Sequence, residues 1–215
     1  MSSVQDFIAE LRTAAWRTQS ARYNAARRLK RRDWFGALSI GGFSALGIGV
    51  TVFQKIYELT VGTSADKYLT ALSICLGLFV IVISLIEWGM SGAVKAEVLY
   101  QNAEALSAFQ RKLQQILAEV ADGRVLKAEE TTQLREEYER IKESCPYNHE
   151  PVDDQTFLVQ QRFSNEYSKL FKRPTPGLLR TLWVNALSTL SVIWYFGLFW
   201  LAVLALCLMT PWGEG

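Results

Sequence analysis

The sequence predicts an all-α integral membrane protein: three transmembrane helices, with a cytosolic helical hairpin region between the second and the third. Segregated charge is the first observation behind this. The 215 residues are 50% hydrophobic and 20% charged, with a net charge of +2, yet three long stretches carry almost no charge. Length is the second. Each stretch is about 20 residues or more, and at about 1.5 Å per residue such a helix crosses a hydrocarbon core of roughly 30 Å. A lone strand there would leave its backbone groups unpaired, so each stretch must be helical.

Residues 1–33 read as a basic amphipathic helix. No Pro or Gly interrupts residues 4–32. Phe7, Ile8, Leu11, Ala15 and Trp16 give it an apolar side, and arginines dominate its second half. That pattern fits an anionic lipid surface or packing against other cytosolic helices. A basic flank beside a span is explained by topology alone, so no nucleic-acid partner is expected. Residues 34–88 form a two-helix transmembrane hairpin, with spans at 34–53 and 68–86. Residues 89–175 form the cytosolic helical region, and 176–215 the third span, apolar from 182 to 209, with a short tail. Trp34, Tyr57, Tyr68, Trp88, Trp183 and Trp212 fall where interfacial anchors belong. Basic residues crowd the flank before span one and the region between spans two and three. The positive-inside rule therefore places the N-terminus and that region in the cytoplasm and the C-terminus outside.

The spans differ in their faces. Ala37, Gly41, Ala45 and Gly49 recur every four residues on span one, and small residues let two helix backbones approach closely in lipid. That face fits span two, where Ser73 and Gly77 repeat the spacing, or a second subunit of a homo-oligomer. Asn185, Ser188, Ser191 and Tyr195 form a polar stripe on span three. Such a stripe faces protein or water, which makes it a candidate pore lining, although interhelical hydrogen bonding is the commoner use. Three helices enclose no wide channel, so a pore needs several copies. Glu87 closes span two as a lone acid without an evident partner. It suits a channel mouth, and more ordinarily a solvated helix exit.

In the cytosolic region the helix of span two is expected to run on to the stop signal at Asp122–Gly123. Leu99, Asn102, Leu106, Phe109, Leu113, Ile116 and Val120 make a heptad seam with one polar position, Asn102, of the kind that fixes register. Leu134, Tyr138 and Ile141 offer a matching stripe, which favours an antiparallel hairpin within the chain. Pro146 and Pro151 then break the helix. Asp153 or Asp154 caps the next, which carries Phe157, Phe163, Tyr167 and Leu170, and RPTPG at 173–177 ends it.

No catalytic constellation is present. His149 is the only histidine, so a metal site within one chain is not expected, and no cofactor is implied. Cys75 and Cys207 read as apolar fillers and Cys145 as a free thiol. The chain reads as a non-enzyme.

The basic first helix, two closely spaced spans, YQNAEAL at 100–106 and CPYNHEPVD at 145–153 resemble the SLATT domain, the SMODS- and SLOG-associating two-transmembrane effector domain of bacteria. The likeness covers roughly residues 1–172, and its matching loop positions are Asn148 and His149. It implies a pore-forming effector of bacterial antiviral or conflict systems in the inner membrane. Its partner would be a nucleotide second-messenger synthase or a nucleotide-sensing protein. The third span departs from the two-span pattern. A non-conducting anchor that recruits a cytosolic partner is the alternative.

Overall fold

The computed structural model describes residues 2–164 and 176–208. They form six helices: α1 (Ser2–Ile56), α2 (Ser64–Met90), α3 (Gly92–Ala121), α4 (Ala128–Glu143), α5 (Pro151–Gln160) and α6 (Leu178–Leu208). There is no strand among the described residues, and three helices are long and apolar enough to cross a membrane. Tyr167, Leu170, Trp212 and residues 173–175 of the RPTPG break lie outside the described residues.

The basic first helix and span one are a single helix. With no Pro in residues 2–56 and no Gly before Gly36, nothing in the first half favours a break, and α1 runs for 55 residues. Span two does not run on as expected. Its helix ends at Met90, where Ser91 takes the left-handed conformation (φ 47°), and α3 starts afresh at Gly92. That conformation costs a non-glycine residue about 1–2 kcal/mol. A Cβ on Gly92 would lie 2.5 Å from Asp33 Oδ1, so a larger residue at this corner would push the Asp33 carboxylate aside. The stop after α3 is as expected: Gly123 sits at φ 101°. In α5, Pro151 occupies the first helical turn, and Asp153 is not the cap residue. Glu150 is, and the Asp153 carboxylate reaches back to accept from the Glu150 amide at 2.9 Å.

The chain divides into two compact units, residues 1–29 with 93–189 and residues 30–92 with 190–215. The first, the polar unit, is cored by the heptad seam. Leu106, Phe109, Leu113 and Val120 of α3 meet Leu134 and Tyr138 of α4, as the hairpin expectation required, together with Ile8, Leu11 and Ala15 of α1. The apolar side of the first helix is thus occupied by protein. Leu113 is fully buried, so Leu113→Ala should cost about 2–5 kcal/mol, read as a shift in urea-dependent proteolysis of the detergent-solubilised chain.

The second, the membrane unit, packs Phe43 of α1, Leu72, Leu76 and Ile83 of α2, and Phe196 and Val203 of α6. Trp200 lies on Phe43, ring centroids 4.6 Å apart, and its indole N–H donates to Ser39 Oγ at 3.1 Å. Trp34, Tyr57, Trp88 and Trp183 are exposed, as interfacial anchors should be. Tyr68 instead donates its hydroxyl to the Leu206 carbonyl.

Candidate functional site

Two polar clusters, one in each unit, are built on arginines of α1. In the polar unit the cluster forms around the CPYNHEPVD loop. Arg28 and Asp153 are both buried. The guanidinium donates through Nε and a terminal nitrogen to the two carboxylate oxygens at 3.0 and 3.1 Å, and it pairs with Glu150 at 3.0 Å. Burial works against the Arg28 charge, but these bonds outweigh it and leave its pKa raised. Asn24 donates to the Asp153 carbonyl at 3.1 Å. Arg17 holds Asp154 by a two-point fork, both contacts at 2.6 Å, and its pKa is raised chiefly by that bond. Trp16 meets Phe157 edge to face.

Arg22 serves the seam. It donates to Asn102 Oδ1 and, at 3.0 Å, to the Lys142 carbonyl, while Asn102 Nδ2 donates to the Ile141 carbonyl at 2.6 Å and to Ser144 Oγ at 3.0 Å. The polar seam position is thus the joint of α1, α3 and the end of α4. Burial lowers the Arg22 pKa.

His149 lines a cavity of about 280 Å³ with Arg17, Thr18, Pro151 and Asp154, and its Nδ1 is buried without a partner. Asn148 is exposed and accepts from the His149 amide at 3.0 Å. Burial depresses the His149 pKa below 6.5; Asp154 and Asp153 oppose this, and Arg22 and Arg17 reinforce it. A base with a depressed folded pKa binds its proton more readily when unfolded. The polar unit should therefore keep its full stability above pH 6.5 and lose some as pH falls below that value. Urea-dependent proteolysis between about pH 5 and 8 should show the loss, and His149→Gln should flatten it.

In the membrane unit, Glu87 is neither solvated nor unpartnered, contrary to the sequence expectation. Arg32, buried on α1, donates to Glu87 Oε1 from a terminal nitrogen at 3.1 Å and from Nε at 3.3 Å, and from Nε to the Tyr195 hydroxyl at 3.1 Å. The Tyr195 hydroxyl donates to the same Glu87 oxygen. One polar cluster therefore ties α1, α2 and α6 together. Gly36 makes room for it: a Cβ there would stand 3.0 Å from Glu87 Cγ.

Only Tyr195 of the polar stripe joins this cluster. Asn185 and Ser191 are exposed and Ser188 is half-buried. Asn185 and Ser188 fall in the polar unit, and Ser191 and Tyr195 in the membrane unit.

Ala37, Gly41, Ala45 and Gly49 are all exposed in the single chain. A Cβ added at Gly41 or Gly49 would meet nothing within 4 Å, so span two does not cover this face. The glycines that serve packing within the chain are others: at Gly42 a Cβ would lie 3.0 Å from Trp200. Beside the open face runs a groove of about 480 Å³, lined among others by Ser44, Gly47 and Thr51 of α1 and Ser73 and Gly77 of α2, with Ser73 Oγ buried and unpartnered.

Arg22, Arg28 and Arg32 were not singled out from the sequence. A basic flank beside a span is what topology also calls for, and their partners lie 55 to 125 residues away, so spacing did not mark them. No curated protein and no solved structure matches the chain. A family model does, over residues 4–208, and because it runs through α6, the third apolar helix belongs to this branch of the family and is not an appendage. By that match the chain belongs to the SMODS and SLOG-associating 2TM effector domain family 5.

Proposed function

We propose that the chain is a non-enzymatic pore-forming effector of a bacterial conflict system, assembled from several copies in the inner membrane. The observation that carries this reading is the open face of Ala37, Gly41, Ala45 and Gly49, exposed and, at Gly41 and Gly49, with space for a side chain among the described residues. Smooth faces of this kind associate in lipid, where apolar burial gives helices no advantage. The neighbouring groove, with the unpartnered Ser73 hydroxyl, extends the surface onto α2. By the positive-inside rule the N-terminus and residues 89–175 lie in the cytoplasm, and the C-terminus outside. The family description names association with SMODS and SLOG, and a partner of that type would supply the trigger. We place reception of that trigger in the polar unit.

Purified protein in liposomes tests the proposal. Release of a trapped ion-sensitive dye that rises with the number of chains per vesicle supports a pore. A bilayer that stays tight at every protein density overturns it, leaving a non-conducting anchor that recruits a cytosolic partner.

A further inference from the structure

We propose that Arg32, Glu87 and Tyr195 are the lock that holds the three membrane helices in one resting arrangement, so that activation requires Glu87 to leave Arg32. Most contacts in this unit are apolar: Phe43, Leu72, Leu76, Ile83, Phe196 and Val203 pack on one another. In a bilayer such contacts can be exchanged for lipid tails at little loss. They fill space without choosing one arrangement of the helices. Hydrogen bonds choose more strongly, and three sets tie two helices each: Ser39 with Trp200, Gln54 with Asp66 and Thr70, and Tyr68 with the Leu206 carbonyl.

The Arg32 cluster holds an ion pair and reaches all three helices. A buried ion pair adds little net stability over apolar packing, but losing one partner is costly, and its best-attested use is to fix a single arrangement. Any movement that separates α1 from α2 strands the Arg32 and Glu87 charges at the edge of the hydrocarbon, where an unpaired charge is expensive. Movement of α6 alone takes the Tyr195 hydroxyl from both. Gly36 shows that the approach is built in, because any side chain there would push against Glu87. α1 also commits a second arginine four residues earlier, Arg28, to the polar unit.

That the released state conducts rests on the pore reading above; that the cluster locks the helices does not. The test separates the two. Ser39 is 1% exposed, and a Ser39→Cys probe, in a chain with Cys75, Cys145 and Cys207 replaced by serine, reports opening by its reaction with a membrane-permeant maleimide. Glu87→Gln and Tyr195→Phe should each speed labelling by about tenfold or more. The exchanged pair Arg32→Glu with Glu87→Arg should slow it again. Unchanged labelling in folded Glu87→Gln and Tyr195→Phe protein overturns the lock, whatever the liposomes do. Fast labelling with no dye release sustains the lock and overturns only the pore. Tyr195→Phe removes a single oxygen, so the test survives if the charge variants fail to fold.

Discussion

Asp153→Ala should be the most damaging single change in the polar unit, costing about 3–5 kcal/mol, because it takes the buried, two-point partner from Arg28 and leaves that buried charge only the exposed Glu150 at 3.0 Å. Asp153 is fully buried, and it carries three jobs with one side chain and one carbonyl. It takes both arms of Arg28, it accepts from the Glu150 amide that starts α5, and its carbonyl takes Asn24. Losing the carboxylate therefore removes the buried partner of Arg28 and the bond to the Glu150 amide together. A cost of this size is a large share of the 5–15 kcal/mol typical of a folded protein. Urea-dependent proteolysis of the detergent-solubilised chain, followed at the loop of residues 144–150, should register it. The double replacement Arg28→Met with Asp153→Leu should recover much of the loss, since removing both charges also removes their desolvation cost. If Asp153→Ala resists proteolysis as the wild type does, the loop is not held by this pair.

The sequence revealed the spans readily, because lipid tolerates so little charge that absence of charge over about 20 residues is itself diagnostic. It revealed the seam equally well. Leu99, Leu106, Phe109 and Leu113 are all buried, and Asn102 proved to be the polar joint that a lone Asn among leucines suggests. The arginines of α1 were not legible in the same way. Topology and ion pairing call for the same residue type on the same flank, and the partners lie 55 and 125 residues away, so spacing gives no sign of them. Glu87 suffered from the same separation: without Arg32 in view, an acid at a helix exit looks solvated. The break at Ser91 was hidden because Ser carries no marker for a left-handed residue, and the flanking Gly89 and Gly92 pointed elsewhere. For the stripe on α6, helical period placed four polar residues on one line, but period does not say which of them a folded unit will claim.

The neighbouring glycines of span one should fail in opposite ways, and that contrast bears most directly on function. Gly41→Leu should leave the fold of the single chain intact, since a side chain there enters open space. Its effect should fall on assembly: an overpacked helix contact costs about 1–3 kcal/mol, which weakens each subunit contact roughly 5- to 140-fold. Oligomer mass in detergent should drop while Trp200 keeps its packed environment against Phe43. Gly42→Leu should do the reverse first. Its Cβ would press on the Trp200 ring at 3.0 Å, so the indole must leave Phe43 and its bond to Ser39, and the membrane unit should loosen before any assembly is measured. If Gly41→Leu keeps full oligomer mass, copies do not meet through this face. If Gly41→Leu loosens the bundle as Gly42→Leu does, the face is not open in the folded chain. Mass measurement and tryptophan fluorescence on the same two samples distinguish these results.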